Sequence, residues 1–90
     1  MNALKRDVTI VNSQGMHARP AMQLVEIASR FGCSVCIRKG NRAVNAKSIM
    51  EVMTLEAVKG SVLTLEAEGD DADGVLAAIA ELVANKFYEE

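Results

Sequence analysis

The apolar residues of this chain switch repeatedly between two spacings, and no other feature narrows its possible folds as much. Recurrence at every second residue implies a strand with one buried face, and recurrence at every third or fourth implies one face of a helix. Residues 6–11 alternate, with Val8 and Ile10 on one side, and Gly15 then supplies a turn. From Ala18 the period lengthens. Ala18, Ala21, Leu24, Val25, Ala28 and Phe31 make a helical stripe, and Gly32 stands where a left-handed C-terminal cap belongs. Ser34–Lys39 alternates again with Val35 and Ile37 inward, Gly40-Asn41 reads as a tight turn, and residues 42–46 as a weaker returning strand.

Ser48 and Glu51 have the spacing of a capping box, in which each side chain bonds the other's backbone N–H, and they open a helix reaching about Glu56. Gly60 turns the chain into residues 61–68, the cleanest strand. Leu63, Leu65 and Ala67 face one way, and Thr64, Glu66 and Glu68 the other. Asp70 or Asp71 caps a last helix, with Asp73 at its positive end. Its stripe is Val75, Leu76, Ile79, Leu82, Val83 and Phe87, and the closing Tyr-Glu-Glu reads as a solvated tail. The order is βαββαβα. Each strand has one apolar face, which implies an α/β (α+β) open-faced sandwich: a four-stranded antiparallel sheet, three helices on one face and water on the other. The chain length suits one domain over residues 1–90, and no repeat or linker divides it.

Half of the residues are apolar, enough for a core without metal or disulfide, and with no Trp, two Phe and one Tyr that core must be aliphatic. Nucleic-acid binding needs stacking rings and a basic stripe; this chain has neither, and its net charge of −2 disfavours anionic membrane surfaces too. No apolar run approaches a bilayer span, and the opening residues lack the apolar stretch of a secretory signal, so a cytoplasmic protein is expected. Cys33 and Cys36 have C-x-x-C spacing. A redox dithiol wants its first thiol at a helix N-terminus, whereas Cys36 falls within a strand, and a zinc site wants about four ligands. Packing or surface thiols are the reading, with no metal and no cofactor. The residues before Lys47-Ser48 lack the glycine of a phosphate-binding P-loop, since Ala46 stands there. The acidic run at residues 68–74 lacks the spacing of an EF-hand.

The one histidine, His17, follows the Gly15 turn and precedes Arg19 and Pro20. It falls at the start of the first helix, where N–H groups lack partners and the helix dipole is positive. A dianion on the imidazole would meet those amides, including that of Ala18, and Arg19 can bring a guanidinium to the same oxygens. Pro20 sits where a missing N–H costs no helix hydrogen bond, and it stiffens the turn. A helix terminus stabilises an exposed charge by only about 0.3–1 kcal/mol. That can hold a phosphoryl group but cannot drive formation of a phosphoramidate, so a high-energy donor is required. On position alone, a surface histidine beside a helix cap is the simpler reading, and the Gly-x-His-x-Arg-Pro spacing points further.

At these residues, GMHARPA, the chain resembles the HPr family, the histidine-containing phosphocarriers of the bacterial phosphoenolpyruvate-dependent phosphotransferase system. AKSIMEVMTL resembles the family's second signature, around a regulatory serine, and KGSVLTLEAEGDD its last strand and turn. The resemblance implies a phosphocarrier in a relay rather than an independently turning-over enzyme. His17 would accept phosphate on Nδ1 from enzyme I and donate it to enzyme IIA. Arg19 would steady the phosphate, and Ala18 and Pro20 would support it. An HPr kinase/phosphorylase would modify Ser48, and Met22, Ile49, Met50 and Met53 would form the partner-facing patch of a monomer. Glu26 and Glu51 depart from the family, standing where lysine is common, while Arg19, Lys47 and Arg30 remain basic. The rival readings are a nitrogen-branch paralogue with the same chemistry, a non-catalytic regulatory binding module, and a small histidine-dependent hydrolase, for which no partner group is evident near His17.

Overall fold

The computed structural model describes residues 3–89. The elements are β1 (Leu4–Thr9), α1 (Ala18–Ser29), β2 (Ser34–Lys39), β3 (Arg42–Asn45), α2 (Ile49–Met53), β4 (Val62–Glu68) and α3 (Ala72–Ala84), followed by a 3-10 turn at Lys86–Tyr88. The strands form one antiparallel sheet in the order β1-β4-β2-β3. This is the expected open-faced sandwich. Alternation in β2 and β4 puts Val35, Ile37, Leu63, Leu65 and Ala67 under the helices, where they meet Leu24 and Ala28 of α1, Val52 of α2, and Val75 and Ile79 of α3. The other face is polar and cross-linked: Thr64 Oγ1 donates to Asp7 at 2.8 Å, and Arg38 Nε lies 3.2 Å from Glu66.

Element ends differ from the sequence expectation for identifiable reasons. β1 starts earlier and stops at Thr9, because its ladder to β4 runs from Leu4↔Ala67 to Thr9↔Val62. Ile10 stays buried but bonds the β4-side turn instead, its N–H donating to the Ser61 carbonyl and its own carbonyl accepting from Gly60 N–H. Gly32 is not a left-handed cap. Helix α1 closes with three-residue steps, Arg30 N–H to Ile27 and Phe31 N–H to Ala28, while Gly32 N–H donates to Asp71 Oδ2 at 3.0 Å. Helix α2 ends at Met53, not near Glu56. Thr54, Leu55 and Glu56 bond three residues back, and Glu56 then takes φ 50°, which leaves helical geometry.

Only half of the capping box forms. Ser48 Oγ accepts from Glu51 N–H at 3.4 Å, but Ser48 N–H is already taken by the Asn45 carbonyl, and the Glu51 carboxylate accepts from Asn45 N–H at 3.0 Å. Asp71 occupies the N-cap position of α3 without capping it. Its carboxylate accepts from Gly32 and Cys33 N–H, tying the α1–β2 turn to α3. Phe87, expected on the last helical stripe, lies outside α3 and is fully buried in the 3-10 turn. Of the expected solvated tail, Tyr88 is exposed, Glu89 is half-buried, and Glu90 lies outside the described residues.

Candidate functional site

The loop from β1 to α1 is built around a buried amide. Asn12 is fully buried, its Nδ2 donates to the Gly15 carbonyl at 2.8 Å, and Gly15 N–H returns a bond to the Asn12 carbonyl at 3.2 Å. This turn needs glycine twice over. Gly15 has φ +68°, and a Cβ there would lie 2.5 Å from the Ala57 carbonyl oxygen and 2.9 Å from Val58 Cα. Met16 is buried, and its N–H donates to the same Ala57 carbonyl at 2.8 Å, so the loop is pinned to the segment after α2.

His17 follows as the N-cap of α1, with extended φ/ψ of −85°/−171°. Its carbonyl accepts the first helical bond, from Ala21 N–H at 3.0 Å, but its side chain caps nothing. Ala18 and Arg19 are therefore the first two helical residues, whose N–H groups no helix can satisfy internally. Pro20, third and buried, has no N–H to offer. A helix of this length adds positive potential at that end. The imidazole is 39% exposed. The Arg19 side chain is exposed and makes no ion pair among the described residues, so it is available to an incoming anion.

A residue that carries no sequence signal completes the site. Lys86, Phe87 and Tyr88 have φ of 57°, 55° and 58°, a left-handed turn that brings Glu89 over the ring. Glu89 Oε2 and Oε1 lie 3.1 and 3.2 Å from His17 Nε2, and Oε1 accepts from Asn12 Nδ2 at 2.8 Å. Nδ1 carries no hydrogen bond among the described residues. No local pattern could have pointed to Glu89, which lies 72 residues along the chain from His17.

The remaining expected residues lie on α1 and α2, which pack against each other. Met22, Met50 and Met53 are exposed, at 59%, 75% and 40%, so none is core, whereas Ile49 is half-buried against the core. Val58 is a further exposed apolar residue, beside the Gly15 turn, with no periodicity to announce it. Ser48 is half-buried at the N-cap of α2. Neither acidic departure is a free charge: Glu26 pairs with Arg30 at 3.4 Å, and Glu51 faces Asn45 N–H. Lys47 Nζ donates to the Phe31 carbonyl at 2.8 Å.

Cys33 and Cys36 are free thiols three residues apart, which directs them to opposite faces of β2 and its approach. Burial, and then a hydrogen bond to Asp71, push the Cys33 thiol up. Donation from that thiol, and then from Gly32 N–H, holds the Asp71 carboxyl below the usual carboxylate range. Among the described residues no group of three or more His, Cys, Asp or Glu could hold a metal, and no helix is long and apolar enough to cross a membrane. A hollow over the sheet is lined by Ser34, Cys36, Asn45 and Glu66, away from His17.

A family model described as the PTS HPr component phosphorylation site matches residues 4–85. Phosphocarrier protein HPr of Cupriavidus necator is 44% identical, over 96% of this chain and 97% of that protein. Phosphocarrier protein NPr of Shewanella violacea is 42% identical, over 99% of this chain and 98% of that protein. The crystal structure of HPr from Thermoanaerobacter tengcongensis superposes with a TM-score of 0.93 at 42% identity, covering 97% of this chain and 98% of that one.

Proposed function

Because this chain belongs to the HPr family of phosphocarriers of the phosphotransferase system, we propose that His17 accepts a phosphoryl group from phosphorylated enzyme I and donates it to the histidine of a sugar-specific enzyme IIA. The observation that carries this reading is an imidazole, 39% exposed, at a helix N-cap where it caps nothing and leaves Nδ1 unbonded among the described residues. The lone pair of Nδ1 attacks phosphorus in line with the donor nitrogen. The transferred oxygens settle against the Ala18 and Arg19 N–H groups and the Arg19 guanidinium, donors fixed before the group arrives. Pro20 keeps that turn rigid. The donor's own phosphoramidate supplies the free energy.

Docking uses the exposed Met22, Met50 and Met53 with Ile49, on the two helices that flank the site. Flexible thioethers can meet an enzyme I and an enzyme IIA of different shapes. Ser48, capping α2 immediately before Ile49 and Met50, is the site for an HPr kinase/phosphorylase. A phosphate there adds about −1.5 to −2 charge beside apolar residues that must be desolvated on docking. Ser48→Asp should therefore accept phosphate from enzyme I more slowly than wild type, and an unchanged rate refutes this regulation.

The deciding experiment mixes the protein with enzyme I and phosphoenolpyruvate near neutral pH. An acid-labile phosphate should form, vanish in His17→Ala and persist in Ser48→Ala. Its absence from the wild-type protein refutes the carrier reading. The likeness to the Shewanella violacea NPr supports a second reading, a carrier of the same chemistry in a nitrogen-branch regulatory relay. Faster phosphorylation by the nitrogen-branch enzyme I than by the sugar-branch one would select it.

A further inference from the structure

We propose that Glu89 is a positioning residue for this transfer: its carboxylate holds the His17 proton on Nε2, so that Nδ1 is the nucleophile, and balances the charge the ring gains with the phosphoryl group. The second half rests on the carrier reading; the first does not. Both carboxylate oxygens lie within 3.2 Å of Nε2. A carboxylate only accepts, so the facing nitrogen must be the one that bears hydrogen. In a neutral imidazole the other nitrogen then holds the lone pair.

The carboxylate is fixed rather than incidental. Asn12 Nδ2 donates both to Glu89 Oε1 and to the Gly15 carbonyl. Turning that amide over would set oxygen against oxygen, so its orientation is determined even though its Oδ1 has no partner among the described residues. Asn12 is fully buried, and the Glu89 side chain is 13% exposed. The approach is held from the other side by Phe87, fully buried within three successive left-handed residues. Left-handed backbone costs non-glycine residues free energy, and it persists only where packing dictates it.

The transfer balances without moving a proton. The Nδ1 lone pair forms the new N–P bond as the donor N–P bond breaks, and that electron pair returns to the donor nitrogen. His17 then carries phosphoryl on Nδ1 and hydrogen on Nε2, a cationic ring facing the Glu89 anion. The donor ring, cationic while phosphorylated and protonated, leaves neutral. Glu89 thus serves the ring as the buried aspartate serves histidine in serine-protease triads, by fixing the tautomer and stabilising the imidazolium.

The test separates the two halves with Glu89→Ala and Glu89→Gln. In unphosphorylated protein under alkaline conditions, nitrogen-15 NMR of the ring reads the tautomer. Wild type should hold hydrogen on Nε2. Glu89→Ala should lower the Nε2–H to Nδ1–H ratio about tenfold, the equivalent of ~1.4 kcal/mol. Glu89→Gln should restore the ratio, because Asn12 Nδ2 and His17 Nε2–H both call for the amide oxygen. An unchanged ratio in Glu89→Ala overturns the positioning role. At equilibrium with phosphorylated enzyme I, both variants should have a phosphoryl-transfer constant about tenfold below wild type. A Glu89→Gln constant equal to wild type overturns the charge balance. If wild type accepts no phosphate, the carrier reading and the charge balance fall together, and the tautomer measurement still decides the positioning role by itself.

Discussion

Gly15→Ala should be among the most damaging single-methyl changes in this fold, and the structure separates its two costs. The residue has φ +68°, and left-handed backbone costs an L-residue about 1–2 kcal/mol. The added Cβ would also sit 2.5 Å from the Ala57 carbonyl oxygen and 2.9 Å from Val58 Cα, both backbone atoms that no rotamer change can move. Overpacking of that kind adds about 1–3 kcal/mol. The same Ala57 carbonyl accepts from Met16 N–H, so displacing it disturbs the bond that sets the height of His17. Gly40 provides the control. It has φ +59° with nothing within 4 Å of an added methyl, so Gly40→Ala carries the conformational cost alone. Urea unfolding should thus show a loss of about 3 kcal/mol for Gly15→Ala against about 1 kcal/mol for Gly40→Ala. In a domain of this size each kcal/mol lowers Tm by about 4–8 °C, so thermal melts should separate the two variants clearly. Equal losses at the two positions would refute the steric argument, and with it the view that the segment after α2 braces the histidine loop.

Two further outcomes follow from the α1–β2 turn. Asp71 has its folded carboxyl held low, so its contribution is present above the unfolded value and drains away as pH falls through the folded one. Asp71→Asn should accordingly be less stable than wild type in neutral urea melts, with the gap closing below about pH 4. Cys36 is half-buried on the open face of the sheet, whereas Cys33 is buried with its thiol pushed up. Iodoacetamide at neutral pH should label Cys36 well before Cys33, read by mass spectrometry of the digested protein, and equal labelling would contradict the placement of Cys33.

Much of the architecture is legible in the sequence because burial imposes periodicity. β4 shows this best: residues 63–68 alternate in sequence and in accessibility alike, and only Val62 puts an apolar residue on the exposed face. Helix α1 is equally plain, and the His17 N-cap with it, since the stripe begins where the Gly15 turn ends. The departures fall where a backbone group bonds a partner that local pattern does not name. Gly32 looks like a cap, but its amide goes to Asp71; Glu51 looks like the second half of a capping box, but Ser48 N–H is already taken. Helix α2 has a helical sequence beyond Met53, yet three-residue steps and a left-handed Glu56 end it early. Glu89 is illegible for the same reason in its strongest form. Its partners Asn12 and His17 lie far away along the chain, and a pair of acidic residues by itself reads as solvated.

The strand order β1-β4-β2-β3 also governs when the site can exist during synthesis. β1 leaves the ribosome before its hydrogen-bonding partner, which spans Val62–Glu68, and well before Glu89, whose carboxylate lies over the imidazole. Every pairing of β1 must therefore wait for the long loop between Thr9 and Val62 to close, a distant contact that slows folding relative to local helix formation. A nascent chain with β2, β3 and α2 already exposed holds the imidazole on an unpaired arm. The surroundings of the ring are thus complete only once Glu89 has been translated, and a chain cut short before it cannot assemble them.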